Sequence, residues 1–117
     1  MRSFDEHRAA VEARIERWCA AMPANGLHDP MAYLMRLPAK RVRPVAVLMA
    51  HELFSGAAEG ALEEALGIEL FHNFTLMHDD IMDEAPLRRG RPTVHAKWNT
   101  NTAILSGDAM LVRAYMQ

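Results

Sequence analysis

The sequence predicts an all-α fold, an antiparallel bundle of helices joined by short loops. Apolar residues recur at spacings of three, four and seven along most of the chain, which is the period of an amphipathic helix. Proline, glycine and capping residues separate these periodic segments, and no segment of any length shows the alternation typical of a strand. At 117 residues the chain is one domain or a piece of one.

The first predicted helix begins in a capping box formed by Ser3 and Glu6. It ends near Pro23, and its apolar side chains follow one face: Phe4, Val11, Ile15, Trp18 and Met22. A short second helix is predicted to begin at Asp29, as its N-cap, with Pro30 at the first helical position, and to run through about Leu37.

The segment PAKRVRP, residues 38–44, is a predicted loop bracketed by prolines, and Pro44 is expected to open a third helix through about Phe54. Residues 55–60 form a predicted turn. A long fourth helix follows from about Ala61 to Met82, and one of its sides is apolar: Leu62, Leu66, Leu70, Phe74 and Met77.

The segment EAPLRRGRP, residues 84–92, interrupts the helical pattern through its prolines and glycine. Thr93 is then expected to cap a short helical stretch through Trp98, and another helix is predicted from Asn101 onward. That helix reaches Gln117 without a glycine, proline or cap, so we expect the sequence to be the first part of a larger domain.

Composition excludes several classes of protein. A net charge of −2 argues against a nucleic-acid partner, because no excess of basic charge is available to bind a phosphate backbone. Cys19 is the single cysteine, so an internal disulfide is impossible. The first residues lack the apolar core of a signal peptide, and the longest apolar run, Val45–Ala50, is too short for a membrane span. We therefore expect a cytoplasmic protein.

Three carboxylates, Asp79, Asp80 and Asp83, lie at the predicted end of the fourth helix. Asp79 and Asp83 are four residues apart and share a helical face, with Cβ atoms about 6 Å from each other. Asp80 lies about 100° round the helix from Asp79, at the edge of that face. His72, seven residues before Asp79, is only about 20° off the same stripe.

Carboxylates at a helix C terminus need a positive partner, because each one costs roughly 0.3–1 kcal/mol against the helix dipole. Mg²⁺ suits the arrangement, since it is typically held by one or two carboxylates while it keeps waters and takes phosphate oxygens. From the residues alone, a solvated patch of surface salt bridges is the alternative. An EF-hand is excluded, because the glycine and glutamate of its loop are absent at their spacing.

Two basic groups accompany the acids: Lys40, Arg41 and Arg43 in the first proline-bracketed loop, and Arg88 and Arg89 in the loop after the acids. Lysine supplies a point charge and arginine a planar fork, and both suit phosphate oxygens. Taken singly, each group is more typical of a solvated surface loop. His72 and His78, taken singly, are compatible with ordinary core or surface histidines.

Together these segments form an ordered set: Lys-x-x-Arg-Pro in a loop, His-x6-Asp-Asp-x-x-Asp on a helix, then Leu-Arg-Arg-Gly. In this combination the chain resembles the trans-isoprenyl diphosphate synthases, or polyprenyl synthetases. The matching stretches are KRVRP (40–44), ELFHNFTLMHDDIMDEAPLRRGRPTVH (69–95) and NTAILSGDAML (101–111). The resemblance implies that residues 1–117 are the N-terminal part of a single all-α isoprenoid synthase domain.

The resemblance also implies an activity: a Mg²⁺-dependent prenyltransferase, working as a homodimer, that condenses an allylic diphosphate with isopentenyl diphosphate. By motif, Asp79 and Asp83 are the expected metal ligands, Asp80 supports them, and Arg88 contacts the allylic diphosphate. The residues expected to hold the diphosphate of isopentenyl diphosphate are Lys40, Arg43, His72 and Arg89.

The sequence departs from the family pattern in two places. Pro38-Ala39 stand where the family usually has Gly-Gly, and proline fixes a backbone angle that glycine leaves open. The second aspartate-rich motif of the family is absent, since Asp-Asp-x-x-Asp occurs once. Two alternatives to the enzyme therefore stay open: a non-catalytic relative or subunit that binds prenyl diphosphates, and a helical interaction module with an acidic patch.

Overall fold

The computed structural model describes residues 2–56 and 58–117. In this part of the chain six α-helices, one 3-10 helix and one small hairpin follow one another: α1 (Phe4–Ala21), α2 (His28–Arg36), α3 (Val42–Ser55), the 3-10 helix (Ala58–Ala61), α4 (Leu62–Met82), β1 (Leu87–Arg88), β2 (Arg91–Pro92), α5 (Val94–Lys97) and α6 (Thr100–Tyr115). The predicted all-α fold is confirmed.

Helix α4 is the centre of the bundle, and it packs against α1, α2, α3 and α6. Its most extensive contact is with α6. The apolar stripe predicted for α4 faces the core, where Leu66, Leu70 and Met77 are fully buried. Because α4 is 21 residues long, it extends about 31 Å. It therefore carries His72 in its middle and the acidic residues at its C-terminal end.

The first helix follows the sequence prediction closely. Ser3 Oγ accepts a hydrogen bond from the Glu6 backbone N–H, and the Glu6 carboxylate accepts one from the Ser3 N–H, so the predicted capping box is present. Val11, Ile15 and Trp18 are buried as predicted, whereas Phe4 at the helix start is exposed. None of the helices in the described residues combines the length and apolar composition needed to cross a membrane.

Two predicted helix starts are wrong. Helix α2 begins at His28 rather than after an Asp29 cap, because the Asn25 side chain accepts hydrogen bonds from the backbone N–H groups of Leu27 and His28. Helix α3 begins at Val42, so Pro44 lies within its first turn rather than opening it. Proline is tolerated there because the first N–H groups of a helix have no partner within it.

The connections also differ from the predictions. Ser55 still belongs to α3, Gly56 ends the helix at a φ of 74°, and Ala57, within the predicted turn, lies outside the described residues. The two-residue strands β1 and β2 form a hairpin that the sequence pattern did not indicate. Thr93 precedes α5 as predicted, but its hydroxyl donates to Ala85 O instead of capping the helix.

Candidate functional site

A buried arginine fixes the basic loop between α2 and α3. Arg41 is only 3% exposed and has a left-handed φ of 59°. Its guanidinium donates to Glu12 on α1 at 2.6 Å, to Glu69 on α4 at 2.7 Å and to the Met35 carbonyl at 2.6 Å. Burial opposes the charged form, but the hydrogen bonds to the two glutamates outweigh it and raise the pKa of Arg41. Arg41 therefore holds the loop in place.

The four residues predicted to hold a diphosphate line one pocket of about 220 Å³: Lys40, Arg43, His72 and Arg89. We call this the basic pocket. They come from three separate segments, namely the α2–α3 connection with the first turn of α3, the middle of α4, and the hairpin turn. Glu69 is the carboxylate in its lining, and that side chain is already paired with Arg41. The unneutralised charge of the pocket is thus positive.

Two contacts shape the basic pocket. Arg43 Nη1 lies 3.2 Å from His72 Nε2, so in this arrangement the arginine donates and the imidazole accepts as a neutral ring. Burial, followed by the charge of Arg43, lowers the pKa of His72. Arg89 Nη1 donates to the Pro38 carbonyl at 2.7 Å. Pro38 therefore contributes a carbonyl that orients one of the pocket's arginines.

The hairpin formed by β1 and β2 positions Arg88 and Arg89 at the site. Arg89 and Gly90 both have positive φ, 53° and 77°, which is the combination of a type I′ two-residue turn. Arg88 pairs with Arg91 across the hairpin, and the Tyr33 hydroxyl donates to the Pro92 carbonyl at 2.7 Å. The second strand is thereby tied to α2, and Arg88 and Arg89 project from an anchored turn.

Asp80 and Arg88 form an ion pair with two hydrogen bonds, each 2.8 Å long. Asp80 is 6% exposed, unlike Asp79 and Asp83. The hydrogen bonds to Asp80 raise the pKa of Arg88 despite its partial burial. Because Nε and Nη2 are used by Asp80, Nη1 is the nitrogen that Arg88 can offer to a ligand.

Asp79 and Asp83 remain one turn apart, since the Asp83 N–H donates to the Asp79 carbonyl at 2.9 Å. Both side chains are exposed, and neither makes a hydrogen bond or ion pair within residues 2–56 and 58–117. The described residues contain no group of three or more His, Cys, Asp or Glu side chains arranged to hold a metal. The pair fits Mg²⁺ shared with a phosphate ligand, because that ion needs only one or two carboxylates.

Several contributors to this site were missed in the sequence. Arg41 stands among the cations of the basic loop in the sequence, whereas its side chain is buried and holds that loop in place. The sequence did contain a sign of the role of Glu69, because a carboxylate beside the apolar stripe of α4 requires a buried cationic partner. His78, for which no role was predicted, packs edge-on against Phe74 with ring centroids 4.8 Å apart. Its Nε2 also lies 3.4 Å from the Ile104 carbonyl of α6.

With this geometry established, the relationship of the chain to known proteins is clear. The sequence profile of the polyprenyl synthetase family matches residues 24–117. The chain belongs to the polyprenyl synthetase family. All eight predicted site residues lie within the match, whereas α1 precedes it.

Individual relatives agree in sequence and in fold. The chain is 39% identical over 105 residues to a geranylgeranyl diphosphate synthase of Methanosarcina mazei, covering 90% of this chain and 32% of that protein. It is 44% identical over 89 residues to one of Saccharolobus solfataricus, covering 76% and 27%. A crystal structure of a geranylgeranyl pyrophosphate synthase matches with a TM-score of 0.95 and 46% identity, covering 99% of this chain and 36% of that one. The chain thus spans about a third of the length of these polyprenyl synthetase relatives.

Proposed function

We propose that the chain is the N-terminal part of a Mg²⁺-dependent prenyltransferase domain, which condenses an allylic diphosphate with isopentenyl diphosphate into a longer isoprenyl diphosphate. The observation that carries this proposal is the arrangement on α4. A cationic pocket surrounds His72, and an exposed carboxylate pair lies seven to eleven residues further along the helix. Seven residues of helix correspond to about 10 Å. Two diphosphates could therefore bind side by side.

In this proposal, the basic pocket binds isopentenyl diphosphate. Lys40 supplies a mobile point charge, while Arg43 and Arg89 supply planar forks that match phosphate oxygens. His72 can gain a proton when the anion arrives, because a negative charge nearby favours the imidazolium form. The pocket then orients the homoallylic double bond relative to the second substrate.

The allylic diphosphate would bind at the end of α4. Asp79 and Asp83 would hold Mg²⁺, which supplies positive charge to the pyrophosphate that leaves. Asp80 fixes Arg88, whose Nη1 is directed to the same leaving group. The allylic C–O bond breaks, the double bond of isopentenyl diphosphate forms the new C–C bond, and a proton is lost.

This chemistry requires no side-chain nucleophile, and the described residues are consistent with that. Burial raises the pKa of the Cys19 thiol to about 11, so the group stays protonated at neutral pH. Cys19 also lies in the hydrophobic core, packed between α1 and α2. The single cysteine is therefore structural.

A non-catalytic subunit that binds prenyl diphosphates is the alternative. The two functions share the same binding residues and differ in turnover.

We extend the proposal to a cytoplasmic homodimer. Four exposed apolar side chains of α6 support the dimer, because their spacing places them within about 100° of one helical face: Ile104, Leu105, Val112 and Tyr115. A second copy could cover this face. Sedimentation analysis of the chain and of Leu105→Glu tests the dimer, because a charge in the covered face would dissociate it.

The experiment that tests the function is calorimetric titration with isopentenyl diphosphate and with a non-hydrolysable allylic diphosphate analogue, each with Mg²⁺ and with EDTA. We expect Arg43→Ala to weaken isopentenyl diphosphate binding under both conditions, whereas Asp79→Ala weakens only the Mg²⁺-dependent binding of the analogue. Binding of neither diphosphate, or equal loss of both in each variant, would exclude the assignment.

A further inference from the structure

A second pocket, of about 420 Å³, adjoins the basic pocket on the side of α1. It is lined by Arg8, Pro38, Ala39, Lys40 and Arg89, so it shares Ala39, Lys40 and Arg89 with the basic pocket. We call it the outer pocket. The shared residues form the boundary between the two spaces, and Arg8 is the new cation that the outer pocket adds. Arg8 lies before the residues that match the family.

The orientation of α1 toward this site is fixed by a contact independent of the pocket. Glu12 accepts a 2.6 Å hydrogen bond from Arg41, which is buried in the basic loop. Arg8 precedes Glu12 by four residues and lies about 40° from it around the helix. The ion pair that holds α1 against the loop therefore also turns Arg8 toward Lys40.

The charge in this region is not balanced by nearby acids. The outer pocket has no carboxylate among its described lining residues. Arg8 and Lys40 make no hydrogen bond or ion pair with any residue of the described ranges. Glu12 and Glu69, the two carboxylates that contact the basic loop, are both engaged by Arg41. Burial, followed by the charges of Arg88 and Arg41, lowers the pKa of Arg89.

We propose that the basic and outer pockets are two adjacent phosphate sites, and that the diphosphate of the second substrate spans them. One phosphate lies in the basic pocket with Arg43 and His72, and the other lies in the outer pocket with Arg8. Lys40 and Arg89, on the boundary, contact both. This inference rests on the proposed function, and it makes Arg8 of α1 a substrate-binding residue. No bond is made or broken in this step.

The test compares inorganic diphosphate with inorganic phosphate, titrated calorimetrically into the 117-residue chain in EDTA. Chelation removes any contribution from a metal bound at Asp79 and Asp83. A lone phosphate needs only the basic pocket, whereas diphosphate needs both pockets. Arg8→Gln should therefore weaken diphosphate binding by about 1.5- to fivefold, the usual range for an exposed ion pair, and leave phosphate binding unchanged. Arg8→Glu should weaken diphosphate binding further.

Arg17→Gln is the matched control, because it removes the same charge from the same helix. Arg17 is nine residues from Arg8, so it lies about 13 Å along α1 and on the opposite face. It lines neither pocket. Both arginines are exposed, so neither substitution should alter the fold, and a thermal melt of each variant checks this.

Each outcome decides the proposal. Selective loss of diphosphate affinity in Arg8→Gln, with Arg17→Gln unchanged, supports it. Equal losses in both variants would show a net-charge effect and overturn it. No loss in Arg8→Gln, while Lys40→Ala and Arg43→Ala abolish binding, would overturn the outer pocket and leave the proposed function intact. If diphosphate does not bind the unaltered chain, both the outer pocket and the basic pocket are refuted.

Discussion

Asp80 and Arg88 connect the end of α4 to the hairpin through two parallel hydrogen bonds of 2.8 Å. The pair joins residues eight positions apart, and Glu84 between them has a left-handed φ of 51°. The middle carboxylate of the acidic motif thus differs in role from its neighbours. Asp79 and Asp83 face solvent, whereas Asp80 is buried and positions an arginine.

Replacing Asp80 with alanine should destabilise the chain more than replacing Asp79. Asp80→Ala leaves the half-buried Arg88 without its partner. Breaking a fully buried pair costs about 3–5 kcal/mol, and the partial exposure of Arg88 reduces this. Asp79→Ala removes an exposed carboxylate that makes no hydrogen bond in the described residues. Urea unfolding of both variants measures the difference, and equal free energies of unfolding would contradict the structural role of Asp80.

Asp79→Ala and Asp83→Ala should each abolish the Mg²⁺-dependent part of diphosphate binding. The two carboxylates share one face of α4, and the ion would bridge them to the ligand. Glu64→Ala is the control, since it removes an exposed carboxylate from the first turn of the same helix, about 22 Å before Asp79. Titration calorimetry with and without Mg²⁺ separates the two components. Magnesium dependence that survives in both aspartate variants would exclude them as ligands.

Local sequence signals predicted the helices, but they could not predict contacts between distant segments. The capping box of Ser3 and Glu6 and the apolar stripe of α4 depend on residues three to four positions apart, and both were predicted correctly. The start of α3 depends on Arg41, whose left-handed backbone is held by Glu12 and Glu69, 29 and 28 residues away. No local pattern contains that information.

In the site, too, local features were predicted from the sequence, whereas contacts between distant segments were not. Motif spacing placed Asp79 and Asp83 on one face correctly, and the structure brings together the four residues predicted to hold the second diphosphate. The distinct role of Asp80 depends on a hairpin whose strands have two residues each, which is too short to produce an alternating pattern.

The stability of the chain should depend on the ionisation of His72. Burial and Arg43 lower its pKa in the folded state, so the unfolded state takes up a proton first as pH falls below about 6.5. This contribution to stability is therefore present above pH 6.5 and is lost as pH falls through the folded-state pKa. Unfolding of the chain and of His72→Gln between pH 7.5 and 5.5 tests this. The unaltered chain should lose more stability over this range, and parallel curves would contradict the prediction.

Substitution of Gly107 by a larger residue should be unfavourable, because the added side chain would collide with His78. A Cβ at Gly107 would lie 2.5 Å from His78 Nε2, and the ring has little freedom because it packs on Phe74. Gly107→Ala should therefore destabilise the chain, since overpacking costs about 1–3 kcal/mol and exceeds the gain in helix propensity of about 1 kcal/mol. In a His78→Ala background the same change should stabilise. A double-mutant cycle measures this coupling, and additive effects would show that the ring moves aside freely.

The 117-residue chain by itself should bind diphosphates without condensing them. Ionisation of an allylic diphosphate requires pyrophosphate to be held by several cations, and the sequence contains one aspartate-rich motif. Asp79 and Asp83 are open to solvent, so an allylic cation formed beside them would be captured by water before it met the second substrate.

The assay is the condensation of labelled isopentenyl diphosphate with an allylic diphosphate in excess Mg²⁺, with a full-length member of the family run in parallel as the positive control. Binding of both substrates to the chain is measured on the same preparation, so that lack of turnover is not confused with misfolding. We expect binding without a labelled product, because the chain supplies the basic pocket and one carboxylate pair but no enclosure. Steady product formation by the chain would show that these residues suffice for catalysis, and it would contradict this prediction.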